Sequence, residues 1–366
     1  MTVCVSSAAG GYMQRLDWYI LRVISTWFFI IMTILVSFRA IGFLVRETGD
    51  IGQGDYQLIH VLFVTLMRLP GFIGEIFPAA VLFGGLMGLG GLARKHELMA
   101  MRAAGVSIGR LVKSLVKTGL ILAIGGVLVG EIVAPALEQE SEMKRADWLH
   151  QQTILQSKNG VWIRDANTYV NIRRINPERN ISDIAVYSFA DDGVLKMMQS
   201  ATGAKYDGKQ WILQDVSELQ LGDKENTLVK LSHQVLGLDL KMGLLLNLGV
   251  DPAFLSMTEL FNYISFLHDN EQRSPEYEVV FWSKMVVPVL SVLLLLLSLP
   301  FVIKDIRNAD MGKHLIVGAI TGVLFFLVSK TAGFAGVVYD VSPLLVAWMP
   351  VLLIAAATAW LYRRLA

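Results

Sequence analysis

Apolar positions along this chain gather into six runs of about 20 residues or more, the length needed to cross roughly 30 Å of hydrocarbon at 1.5 Å per helical residue. They fall in two sets of three. The first set is Trp18 to Leu44, Leu62 to Leu92 and Ile108 to Ala134; the second is Val279 to Ile303, His314 to Val338 and Leu344 to Tyr362. Between the sets lies a polar stretch with a different rhythm. Segments such as VWIRD, TYVNIRRI, ISDIAVYSF and KQWILQDVSELQL alternate apolar and polar residues, and turn signals DANT, DDG, YDGK and LGDKEN separate them. Short alternating segments at this spacing predict an antiparallel sandwich or roll, with Tyr206-Asp207-Gly208-Lys209 as its sharpest hairpin signal. Ser256 followed by Glu259 predicts a capped amphipathic helix through about Leu267 that leads back toward the second set.

The predicted fold class is therefore an α-helical membrane protein with six transmembrane helices (3+3) and an inserted all-β domain. Its expected parts are a tail over 1–15, three spans over 16–134, the β-domain over 135–275 and three spans over 276–366. Composition agrees: of 366 residues 54% are hydrophobic and only 17% charged, too apolar for an ordinary soluble domain of this length. The net charge of +1 suggests no polyanion partner, and nucleic acid is not expected. Where the charges sit says more. Arg15, Arg94, Lys95, Arg102, Arg110, Lys113, Lys117, Lys304, Arg307, Lys313, Arg363 and Arg364 flank the spans on one side, against Arg46 alone in the opposite short loops. Basic residues near span ends stay in the cytoplasm, so both termini are expected there and the β-domain outside. Met1 to Gln14 carry no charge and no apolar core, unlike a cleavable signal, and Met13 is an alternative start.

Catalytic signatures do not appear. His96-Glu97-Leu98-Met99-Ala100 begins like a zinc-protease helix, but the second imidazole that a zinc ion needs one turn later is replaced by Ala100. Cys4 is the only cysteine, so no disulfide forms within the chain. There is no GxSxG elbow, and Gly208-Lys209 and Gly312-Lys313 are followed by Gln210 and His314, which excludes a phosphate-cradling P-loop. Gly84xxxGly88, Gly126xxxGly130 and Gly318xxxGly322 permit close helix contact in lipid.

The charged insert between spans two and three raises a sharper question. Placed on one helix at 100° per residue, Leu92, Ala93, Met99, Ala100, Ala103 and Ala104 share a face with His96. Arg94, Lys95, Glu97, Leu98, Met101 and Arg102 take the other, and Gly105 supplies the stop. Leu98 and Met101 inside a charged rim have the pattern of a docking anchor. A cationic helix resting on anionic headgroups has a similar pattern, except that Glu97 gains nothing there.

Five segments carry a resemblance: Gly85 to Ser107, GQGDY at 52–56, GEIVAP at 130–135, FWSKMVVPVLSV at 281–292 and MGKHLIVG at 311–318. Together they resemble the LptF/LptG family of lipopolysaccharide-export permeases, closer to the LptG branch than to the LptF branch, from about Leu16 to the end. The resemblance implies an ABC-type extractor of the bacterial inner membrane in which this chain pairs with an LptF-like permease over an LptB-like ATPase dimer. In that picture ATP and Mg²⁺ belong to the ATPase and this chain carries no cofactor or catalytic residue. The insert resembles the coupling helix, implying coupling roles for Arg94, Glu97, Leu98, Met101 and Arg102. The β-domain resembles a jelly roll that joins a periplasmic bridge, and an LptC-like protein adds a helix beside the first span.

Lipopolysaccharide needs an apolar cavity with cations at its outward rim. Arg39, Arg46, Arg68, Lys144, Arg145 and Lys330 are the candidates, with Phe325 and Phe326 as apolar lining. A charge inside a span costs about 2.5–3.5 kcal/mol at mid-membrane, so Arg39 and Lys330 call for a role, although snorkelling accounts for cations near span ends. The family's basic cluster after the first span is reduced to Arg46 in GFLVRETGD. A non-transporting scaffold that docks envelope-assembly partners through its β-domain is the alternative function class.

Overall fold

The computed structural model describes residues 4–149, 161–165, 167–175, 181–190, 193–206, 211–221, 226–236, 251–269, 275–304, 311–339 and 341–364. The chain divides into two compact units, one of residues 1–46, 65–137 and 275–366, the other of residues 47–64 and 138–274.

The first unit is helical. Its elements are α1 (Cys4–Glu47), the segment α3 (Leu69–Arg94), the short α4 (Glu97–Ala103), α5 (Ile108–Leu128), a π-helical turn (Val129–Val133) and the start of α6 (Ala134–Trp148). The returning helices are α8 (Pro275–Lys304), α9 (Met311–Val338) and α10 (Pro343–Arg363). Among the described residues five helical segments are long and apolar enough to cross a membrane: Arg15–Asp50, Leu69–Arg94, Ile108–Trp148, Pro275–Ile303 and Pro343–Arg363. The fifth expected span, His314 to Val338, is one helix, of which Ile320–Gly336 is apolar.

The second expected span is not a single helix. Leu58–Met67 forms α2, the chain turns at Arg68, and α3 restarts with Pro70 in its first turn, where a missing N–H costs nothing. The third runs on past Ala134 into α6, whose charged residues keep the helix going with an i,i+4 pair from Lys144 to Glu140 at 2.8 Å.

Helix α3 forms the middle of this unit. Ala80, Val81, Leu82, Leu86, Leu89 and Ala93 are buried there, and glycines set how near its neighbours come. A Cβ on Gly84 would lie 2.9 Å from the Phe28 Cα of α1, and one on Gly88 3.3 Å from the Ile24 Cα, so this pair seats backbone against backbone. Gly85 faces Leu295 and Ser298 of α8, while Gly318 of α9 and Gly126 of α5 receive the rings of Phe83 and Phe77. The inward stripe of α1 is Ile20, Ile24 and Phe28, four residues apart; Trp18, Phe29, Ile34, Phe38 and Ile41 on its other faces are exposed. Apolar residues on both sides of a helix match a solvent of acyl chains. The π-turn widens the helix at Glu131, whose carboxylate meets Lys284 of α8 at 3.1 Å in a largely buried ion pair.

The second unit holds one six-stranded antiparallel sheet among the described residues, its strands paired in chain order: β1 (Val161–Asp165), β2 (Thr168–Ile175), β3 (Ile181–Phe189), β4 (Leu195–Tyr206), β5 (Trp211–Leu221) and β6 (Asn226–Leu236). Tyr206 pairs with Trp211 across the expected hairpin, whose own turn residues 207–209 lie outside the described residues. Trp211 and Leu213 point inward; Asp215, at φ 51°, shifts the alternation by one so that Val216 does too. The capping box holds, with Glu259 accepting from the Ser256 backbone N–H at 2.8 Å at the start of α7 (Met257–Asp269).

Gly84→Ala is expected to lower thermal stability in detergent by about 1–3 kcal/mol, the range for overpacking a tight site. Gly42→Ala, with nothing within 4 Å of its added methyl, should leave stability unchanged or slightly raised. An equal response at both positions would contradict the close α1–α3 seat.

Candidate functional site

Helix α3 ends at Arg94, and α4 does not continue it. His96 adopts φ 58°, a left-handed conformation that costs a non-glycine residue about 1–2 kcal/mol, so the chain swivels before α4 begins. At the far end Gly105, at φ 89°, closes the turn with its N–H donating to the Arg102 carbonyl at 3.0 Å. Ser107 then caps α5 by accepting from the Arg110 N–H at 3.2 Å.

This swivel changes which residues face out. On a continuous helix Leu98 sits in the charged rim; in the structure it is fully buried with Leu92, Leu111 and Leu115, and Met101 packs half-buried against the same core. The exposed face consists of Met99, 46% exposed, with Ala100, Ala103 and Ala104, flanked by Arg94, Lys95, His96 and Arg102. Met99 is the residue that reading the sequence as one helix missed, because nothing in it signals a left-handed histidine. Glu97 is not directed away from the chain either: its Oε2 accepts a hydrogen bond from the Tyr19 hydroxyl of α1.

The cations assemble in two places. In the first unit, Arg39, Arg46 and Arg68 surround two phenylalanines whose centroids lie 5.5 Å apart: the guanidinium of Arg39 is 4.6 Å from the Phe72 ring, and those of Arg68 and Arg46 are 4.7 and 5.3 Å from Phe43. Each such contact is worth about 0.5–2 kcal/mol. Arg68 is buried beside the break between α2 and α3, and Arg39 also meets Glu75 of α3 at 3.0 Å.

In the second unit, Arg145 on α6 bridges Glu47, at 2.7 Å, and Asp50, while Tyr56 donates to Glu47 at 3.2 Å. Burial and the adjacent carboxylate push the Tyr56 phenol up to about 12, so it stays a donor at neutral pH. Trp148 stacks on His60 at 4.2 Å, and Lys144 lies 4.7 Å from the Phe63 ring. Sequence reasoning found these cations and missed their acidic partners, although Glu47 and Asp50 stand beside Arg46 in RETGD.

Of the apolar candidates, Phe325 packs half-buried against the helical core, while its neighbours Val323, Leu324 and Leu327 are exposed. The side chains of Phe326 and Lys330 lie outside the described residues. Among the described residues no group of three or more histidines, cysteines and carboxylates is placed to hold a metal ion.

Several apolar helices too long and too exposed for water, with a β-sheet domain inserted between them, define a multi-pass membrane protein. Residues 18–364 match the model of the lipopolysaccharide export system permease LptF/LptG. The lipopolysaccharide export system permease protein LptG of Haemophilus influenzae is 31% identical over 353 residues, covering 96% of this chain and 99% of that protein. LptG of Escherichia coli K12 is 30% identical over 354 residues, covering 95% and 98%. The chain belongs to the LptF/LptG family of lipopolysaccharide export permeases.

Replacing His96 by glycine should change thermal stability by less than about 1 kcal/mol, since relief of the left-handed strain offsets the added chain entropy. His96→Val should lower it by about 1–2 kcal/mol. A valine as well tolerated as glycine would mean that the α3–α4 link does not depend on this conformation.

Proposed function

We propose that this chain is one transmembrane half of an ATP-driven extractor that takes lipopolysaccharide from the outer leaflet of the inner membrane and passes it to a periplasmic bridge. Its termini and α4 face the cytoplasm and its sheet faces the periplasm. The second half is an LptF-like permease, and ATP with Mg²⁺ is bound and hydrolysed by an LptB-like ATPase dimer. An LptC-like protein contacts the chain in the membrane.

The observation that carries this reading is the exposed Met99, in a patch of alanines rimmed by Arg94, Lys95 and Arg102, on a short helix whose Leu98 is sunk in the core. A partner that grips Met99 therefore pulls on the core that Leu98 shares with α1 and α5 and not on a loose loop. Methionine suits this task because it fills an irregular groove without a fixed shape. A headgroup surface offers no such groove.

Lipid phosphates are to be met by Arg39, Arg46 and Arg68, with Lys144, Arg145 and Lys330 as further contacts, and acyl chains by apolar lining that includes Phe325 and Phe326. Because Arg39 already holds Glu75, a phosphate reaches it by exchanging with that carboxylate. Arg145 has two carboxylate partners and is the harder to recruit.

The chain co-expressed with its permease partner and ATPase tests this. Met99→Asp should cut ATPase co-purification at least about tenfold, since a buried unpaired carboxylate costs more than the 1.4 kcal/mol that tenfold represents, and should abolish ATP-dependent lipid release. Full co-purification, or release that ignores ATP as a passive scaffold's would, contradicts the reading.

A further inference from the structure

α4 is joined covalently to α3 and α5, and it is also hydrogen-bonded to α1. Two nearby residues of α1 grip the insert and the helix that follows it from the side. The Tyr19 hydroxyl donates to Glu97 in the first turn of α4. Two residues earlier, Asp17 takes hold of α5: its Oδ1 lies 2.8 Å from Arg110 and also accepts from the Ser114 hydroxyl, and its Oδ2 lies 2.8 Å from Lys117. Asp17 and Arg110 are mostly buried and Ser114 is 1% exposed, so these contacts are shielded from competing water, while Lys117 is exposed. Below it Ile20 and Ile24 of α1 share one core with Leu98, Leu111 and Leu115.

The helices around the insert differ in their freedom. α3 is packed on its faces toward α1, α8 and α9 through Gly84, Gly85, Gly88 and the ring of Phe83, and moving it means breaking all of these contacts together. α1 has one buried stripe, with Trp18, Phe29, Ile34, Phe38 and Ile41 exposed on its other faces. It contains no proline and is helical from Cys4 to Glu47, so it transmits displacement as a rod. Twenty residues beyond Tyr19, about 30 Å along the axis, stands Arg39, bonded to Glu75 of α3.

We propose that Tyr19 is a positioning residue that yokes α4 to α1, so that α1 is the helix driven when α4 is displaced, and that its swing separates Arg39 from Glu75 and frees the guanidinium for a phosphate. This rests on the coupling role assigned to α4 above. Movement at one face of the membrane thus becomes cation availability at the other without any shift of α3. Asp17 holds α1 to α5, and the seat of α1 on Gly84 and Gly88 supplies the fulcrum.

Two measurements test it. With the chain alone in detergent, amide hydrogen exchange over residues 97–104 should rise about three- to tenfold in Tyr19→Phe, as loss of one net hydrogen bond allows, with α3 and α5 unchanged. Glu97→Gln, which keeps an acceptor oxygen, should stay near wild type, and Glu97→Ala should match Tyr19→Phe. No change in Tyr19→Phe, or a rise that spreads equally along α3 and α5, overturns the yoke.

In the assembled complex, Tyr19→Phe should keep the ATPase bound and hydrolysing while lipid released per ATP falls by a similar factor; wild-type release per ATP overturns the proposal. If the wild-type chain neither binds an ATPase nor releases lipid, the functional reading fails, and the exchange measurement decides the yoke by itself.

Discussion

The close seat of α1 on α3 is the constraint from which the rest of the helical unit follows. Gly84 and Gly88 remove two side chains where α1 crosses, letting the backbone of Phe28 approach to a distance that a methyl group would forbid and that of Ile24 to one that a methyl group would crowd. In lipid there is little hydrophobic gain from joining two apolar helices, so such contact depends on van der Waals fit and close approach. α3 thereby becomes a fixed axis. Helices α8 and α9 reach it through Gly85 and through Gly318 against Phe83, and the insert at its end inherits a firm base through Leu98.

Charges in this chain are few, and among the described residues several within or beside the spans have partners that fix their positions. Lys284 meets Glu131, Arg39 meets Glu75, Asp17 meets Arg110 and Lys117, and Arg145 meets Glu47 and Asp50. Removing a charge from water costs several kcal/mol unless an opposite charge and hydrogen bonds compensate, which explains the pairing. It also bears on substrate recognition. Under the proposed function, a cation that already holds a carboxylate is an exchange site for phosphate, and exchange links binding to movement of the helix that carries the cation. The arginines around Phe43 and Phe72 are steadied by the rings as well, so their guanidinium groups are oriented before any ligand arrives.

Much of this architecture is legible in the sequence because membrane thickness imposes a length that composition alone reveals. The apolar runs, the inserted strands, the Ser256–Glu259 cap and the stop at Gly105 all rest on local rules that the structure obeys. Other features escaped for physical reasons. The break at Arg68 is marked only by Pro70, and the long extension of the third span is hidden because α6 is helical without being apolar. The outward face of α4 differs from the one a continuous helix predicts because a rotation of the chain at His96 resets the helical phase, and histidine carries no signal for φ 58°. Tyr19–Glu97 and Arg39–Glu75 join residues 78 and 36 positions apart; no local pattern predicts such pairs.

The central claim is that motion at α4 is carried by α1 across the membrane. Its most direct measurement is a pair of spin labels in the assembled complex, one at the exposed Phe38 on α1 and one at the exposed Met285 on α8, with Cys4, the only native cysteine, replaced by serine. The account predicts that trapping the ATPase with bound ATP shifts the distance distribution between these sites, and that Tyr19→Phe removes most of the shift. Identical distributions in the nucleotide-free and ATP-trapped complexes would contradict it.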